Sequence, residues 1–142
     1  MKRQRDDELV KALGPKFVEN LRTVLNDDIV AWNANFPDRQ INGATKSTNG
    51  FGFTVAKLGF PRGIADVAFN PATLRVEVKL TRSTMAGQDE TYTTDGHFYL
   101  ESNPDGKDIH MVDRMRHEHV LPAGFSRIIL EGIAEPHSHH II

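Results

Sequence analysis

Residues 74–80 read LRVEVKL, and this alternation constrains the fold more tightly than any other stretch of the chain. With a side-chain period of two, Leu74, Val76, Val78 and Leu80 share one face of an extended strand, and Arg75, Glu77 and Lys79 share the other. A strand that is apolar on one side only belongs in an antiparallel sheet with one face covered and one in water. The cover has to come from amphipathic helices elsewhere in the chain.

Two regions offer them. DDELVKALG, from Asp6, groups Leu9, Val10 and Leu13 on one side, with acidic residues at the favourable N-terminal end of the helix dipole. Gly14-Pro15 interrupts this short helix, because proline lacks an amide donor, and Pro15 is expected in the first turn of a second helix reaching about Asn33. There Val18, Leu21, Leu25, Ile29, Trp32 and Phe36 recur every three or four residues, opposite Glu19, Asn20, Arg22, Thr23 and Asp27. Near the other end, PAGFSRIILEGIA carries Phe125, Ile129 and Ile133 in an i,i+4 line with Pro136 beyond it. Its β-branched residues also permit a strand, but the spacing favours a helix. The resulting class is α+β: N-terminal helices packed on an antiparallel sheet, with a C-terminal helix.

Between the helices, DRQINGATKSTNG reads as a turn-rich excursion, with Thr45 to Asn49 a ligand-facing or simply mobile loop. FGFTVAKL and IADVAF read as strands separated by the turn GFPRG, and NPAT supplies the turn into LRVEVKL. RSTMAGQDETYTTDG has no persuasive period and is expected to be a connector or exposed hairpin loop. In HFYLESNPDGKDIHMV two strand-like runs flank Asn103-Pro104-Asp105-Gly106. A two-residue loop sets Leu100 opposite Ile109, whereas a type I turn with a Gly106 bulge sets Leu100 opposite His110.

The length of 142 residues suits one domain spanning 1–142, with residues 1–5 and 136–142 expected to be flexible. Seventeen Lys and Arg against 19 Asp and Glu give a net charge of -2, which provides no overall attraction to nucleic acid. The absence of cysteine removes disulfides, thiolate ligands and thiol nucleophiles. Acidic residues 6–8 follow the basic start, where a signal peptide needs an apolar run, and no 18-residue uncharged stretch follows. The expectation is a soluble protein of the cytoplasm or another intracellular compartment, with no membrane partner.

The strongest chemical signal is RMRHEHV, residues 114–120. If the strand before it continues, His117 and His119 point to one face; if a helical turn forms, Asp113 and His117 do. Either pair needs completion by His110 or another carboxylate, so His110, Asp113, His117 and His119 form the candidate site for a divalent metal. PHSHH adds His137, His139 and His140 near the terminus. Trp32, Phe51, Phe53 and Tyr99 are the candidate ligand-binding aromatics: Trp32 as a pocket wall, Phe51 and Phe53 beside a permissive Gly52, and Tyr99 as a stacking surface near Arg114 and Arg116.

Ser83 and Ser126 sit in no nucleophile elbow, and the phosphate-loop and dinucleotide signatures are missing. No cofactor is assigned beyond the candidate metal, and catalytic residues are left unassigned. The leading expectation is a non-enzymatic binding or assembly module whose partner is a second copy or another protein, with a small ligand next. A metal-dependent enzyme built on the histidine region is the alternative, and a nucleic-acid-binding module ranks lower.

Overall fold

In the computed structural model, residues 2–47, 51–57, 59, 62–83 and 91–134 are described. Helix α1 (Lys2–Asn35) leads into seven strands: β1 (Thr45–Lys46), β2 (Gly52–Lys57), β3 (Arg62–Asn70), β4 (Arg75–Ser83), β5 (Thr91–Ser102), β6 (Ile109–Asp113) and β7 (Glu118–Val120). Helix α2 (Pro122–Ala134) follows. Every strand pairs antiparallel with its sequence neighbour, so the sheet is a meander in the order β1 to β7. The chain is therefore α+β, and no helix among the described residues is long and apolar enough to cross a membrane.

The alternation of residues 74–80 sets the two faces. Val76, Val78 and Leu80 are buried, while Arg75 and Glu77 are half-buried and Lys79 is exposed. The register carries the inner face across to Ala65, Val67 and Phe69 on β3 and to Phe98 and Leu100 on β5. Both helices cover that face. Gly14 of α1 sits against the Phe69 ring, Gly132 of α2 against Leu80, and Phe125 of α2 meets Phe98 edge-on at 5.8 Å. Gly63 lets the backbone of α2 reach β3, since a Cβ there would stand 2.4 Å from the Ile133 carbonyl oxygen.

Leu74 departs from the alternation. It has a φ of 58° in the turn before β4, so the strand begins one residue later, although its side chain still packs on the core. Residues 6–14 and 15–33 are not two helices: α1 runs unbroken with Pro15 inside it. Val10 on one side of the proline and Val18, Leu21 and Leu25 on the other all bury in one core, and this burial outweighs the missing amide donor. The C-terminal segment is helical over the expected range. Residues 2–5 belong to α1, while 136–142 lie outside the described residues.

The β5–β6 hairpin adopts neither expected register. Asn103 and Asp108 close a four-residue loop, with the Asn103 amide donating to the Asp108 carbonyl at 2.8 Å and Gly106 at a φ of 70° inside it. Leu100 then stands opposite Met111, and Glu101 opposite His110. The longer loop sets Leu100 and Met111 opposite each other on the inner face, as the burial of both requires. Part of the expected connector is also strand, since β5 begins at Thr91 and its backbone pairs with β4 from there onward.

Loop 36–44, between α1 and β1, is tied down by α1 itself. Asn33 accepts from the Ile41 amide at 2.8 Å and donates to its carbonyl at 2.9 Å. Asn26 accepts from the Ala44 amide at 2.7 Å, while Arg22 donates to the Ala44 carbonyl at 3.1 Å. These side chains supply the partners a neighbouring strand would give, so Ile41 and Ala44 can be buried away from water.

Candidate functional site: the open face of the sheet

With both helices on one side, the outward face of the sheet carries the polar chemistry. Its side chains form rows set by the strand register. One row runs Thr54, Asp66, Lys79, Asp95, and the next runs Ala68, Glu77, His97. The small side chain of Ala68 leaves a depression of about 500 Å3 walled by Asp66, Arg75, Glu77, Lys79, Asp95 and His97. The depression is ringed by both signs of charge. Thr54 donates to Asp66 at 2.7 Å, and Arg75 donates to Glu77 at 2.9 Å, with Asn70 donating to the same oxygen at 3.2 Å. The bond to Glu77 is the main reason the Arg75 guanidinium is held in its charged form beyond its ordinary range, with Tyr99 contributing less.

A second polar line follows β5 to β7. His97 meets Tyr99 edge-on at 5.3 Å, and the Arg114 guanidinium lies 3.6 Å over the Tyr99 ring. Arg114 also pairs with Glu101 at 3.0 Å, and the other Glu101 oxygen is 3.8 Å from His110 Nε2. His110 lies in turn face to face with His119, their ring centroids 4.5 Å apart and their planes 11° from parallel. His110 Nδ1 is hydrogen-bonded to Asn103 Oδ1. Burial first, then the neighbouring His119, holds the His110 pKa below its ordinary value, against the pull of Glu101.

The four expected metal ligands do not assemble as proposed. Residues 114–117 form a turn between β6 and β7, with His117 at a φ of 54°, so the segment is neither a continuing strand nor a helix. Asp113 spends one oxygen on the amides of Met115 and Arg116, at 3.0 and 3.2 Å, which caps this turn. His119 instead finds His110 across the hairpin, a pair that neither local geometry nominated. Among the described residues no three His, Asp or Glu side chains gather as a metal site. His137, His139 and His140 lie outside the described residues.

The four aromatics separate. Phe53 is 1% exposed in the core, whereas Phe51, two positions before it, is 43% exposed. Trp32 donates from Nε1 to the Arg39 carbonyl at 2.9 Å and packs on Phe36 at 4.5 Å, pinning the end of α1 to the following loop. Only Tyr99 belongs to the open face. Ser126 is fully buried on α2, the helix that covers the opposite face of the sheet. Sequence reading set Arg75, Glu77 and Lys79 together on the outer face of LRVEVKL; the wall it missed is Asp95, which lies in the stretch without a persuasive period.

Arg114 and Arg116, the basic residues expected near Tyr99, are engaged with Glu101 and Asp113 respectively. Their charge is therefore partly neutralised on the surface that would meet a nucleic acid. No protein-family model, curated protein or solved structure matches the chain.

Proposed function

We propose that this chain is a non-catalytic binding and assembly module that takes a small ligand of mixed charge on the open face of its sheet. The observation that carries the reading is the depression over Ala68, where Arg75 and Lys79 stand among Asp66, Glu77 and Asp95 on a surface to which neither helix contributes. A zwitterion matches both signs at once, while a simple anion or cation meets like charge on one side. The metal-dependent alternative lacks a third ligand beside His110 and His119 among the described residues, and the nucleic-acid alternative is weakened by the pairing of Arg114 with Glu101 and of Arg116 with Asp113.

Titrating isotope-labelled protein with alanine, acetate and methylammonium at millimolar concentration, and following the amides by NMR, tests the reading. Alanine is expected to move resonances of β3, β4 and β5, and Lys79→Ala is expected to abolish that response. Equal shifts with acetate, shifts confined to the helices, or no response to any probe would defeat it.

A further inference from the structure

Strand β5 is twelve residues long, but β6 pairs with only its last four, from Tyr99 to Ser102. On the β4 side, by contrast, β5 is paired from Thr91 to Tyr99. The Leu100 amide donates toward β4, to the Leu74 carbonyl at 3.0 Å, so even-numbered residues of β5 direct their backbone groups to β4 and odd-numbered ones direct theirs to the other side. Thr93, Asp95 and His97 therefore present amide and carbonyl groups along an edge that β6 does not reach. Their side chains are exposed on the open face, and neither proline nor lysine guards the stretch.

We infer that this edge pairs with the same edge of a second copy, antiparallel about a two-fold axis at Thr94, joining two sheets into one. The inference rests on the assembly half of the proposed function and names its partner and register. Parity does most of the selection. Hydrogen-bonded pairs in such a dimer must join odd-numbered residues to odd-numbered residues, so the axis has to pass through a residue and not between two. An axis at Asp95 sets that carboxylate opposite its own copy, which like-charge repulsion disfavours. An axis at Gly96 brings residue 93 of the partner opposite Tyr99, where Val112 of β6 already sits.

The axis at Thr94 has neither fault. It pairs Thr93 of each copy with Asp95 of the other on the open face, a hydroxyl donor against a carboxylate acceptor, and places Thr94 against itself in a close, non-hydrogen-bonded pair. Such a contact closes on itself and ends at two chains.

Sedimentation of the full chain over a range of concentrations, without ligand, tests the pairing. A dimer is expected. Asp95→Pro removes an edge amide that β4 does not use, so the monomer fold tolerates it, and the two lost bonds weaken association by about tenfold to a hundredfold. The chain has no cysteine, so a single introduced one reports only on itself. Oxidised Thr94→Cys is expected to give a covalent dimer, because residues in that pair sit about 4.5 Å apart at Cα, within disulfide reach. Oxidised His97→Cys is expected to stay monomeric on a reducing-agent-free gel, since its own copy lies far along the strand. A monomer at every concentration, or equal cross-linking at 94 and 97, would overturn the inference, and neither result bears on the alanine titration.

Discussion

Asn33 holds Ile41 by both of its backbone polar groups, at 2.8 and 2.9 Å, in the manner of a neighbouring strand. Ile41 is buried, so water cannot replace these bonds without opening the loop. Asn33→Ala is expected to lower stability by about 1–3 kcal/mol in urea denaturation. Asn26→Ala should cost less, because Arg22 continues to serve the Ala44 carbonyl and only the amide is orphaned. Equal losses in the two variants would show that the loop is held by something other than these bonds.

The stacked pair of His110 and His119 gives the fold a pH dependence of definite sign. His110 titrates below its ordinary value of 6.5 in the folded chain, chiefly through burial and then through His119, so the unfolded chain takes up its proton first as pH falls. The stabilisation is complete above the unfolded value and is lost as pH drops toward the folded one. The Glu19 carboxyl is also held below its ordinary 4.5, mainly by its hydrogen bond from Arg22, but its window lies at more acid pH. Urea midpoints measured downward from neutral pH should fall just below pH 6.5. His110→Gln should flatten that part of the curve, and an unchanged slope would reject the assignment.

Ser126 is buried on α2 with its hydroxyl unpaired among the described residues. Removing an unsatisfied hydroxyl and gaining helix propensity act in the same direction. Ser126→Ala is expected to raise stability by about 1–2 kcal/mol, read as an increase in Tm. A drop in Tm would reveal a partner for the hydroxyl.

The sheet was legible wherever one residue type alternated with another. LRVEVKL predicted which side chains of β4 are buried, and the i,i+4 line of Phe125, Ile129 and Ile133 predicted α2. Pairing distance was not legible. His110 and His119 are nine positions apart and meet only because residues 114–117 turn, yet that turn contains no glycine, proline or asparagine to announce it. Asp113 was the available signal, as a residue that caps a turn by accepting amides two and three positions on. The stretch of β5 that β6 does not reach was hidden for the same reason: where β6 stops depends on the length of the hairpin loop, and the Asn-Pro-Asp-Gly signature fits several lengths.

Gly14 and Pro15 are expected to respond to the same substitution with opposite signs. Both looked like helix breakers, but they do different work inside a continuous α1. Gly14 is there for space: a Cβ would stand 2.5 Å from two atoms of the Phe69 ring, which is itself buried and unable to yield. Pro15 is only half-buried, and it withholds a hydrogen bond from the carbonyl of Lys11, an exposed residue. Pro15→Ala should therefore stabilise the fold by about 1–3 kcal/mol, less than or equal to the full interior penalty of proline. Gly14→Ala should destabilise it, because overpacking of about 1–3 kcal/mol exceeds the propensity gained. Thermal melts of the two variants beside the parent provide the comparison. A loss of stability in Pro15→Ala would mean that the proline bends α1 to fit the sheet, and that its cost is recovered along the whole length of the buried stripe.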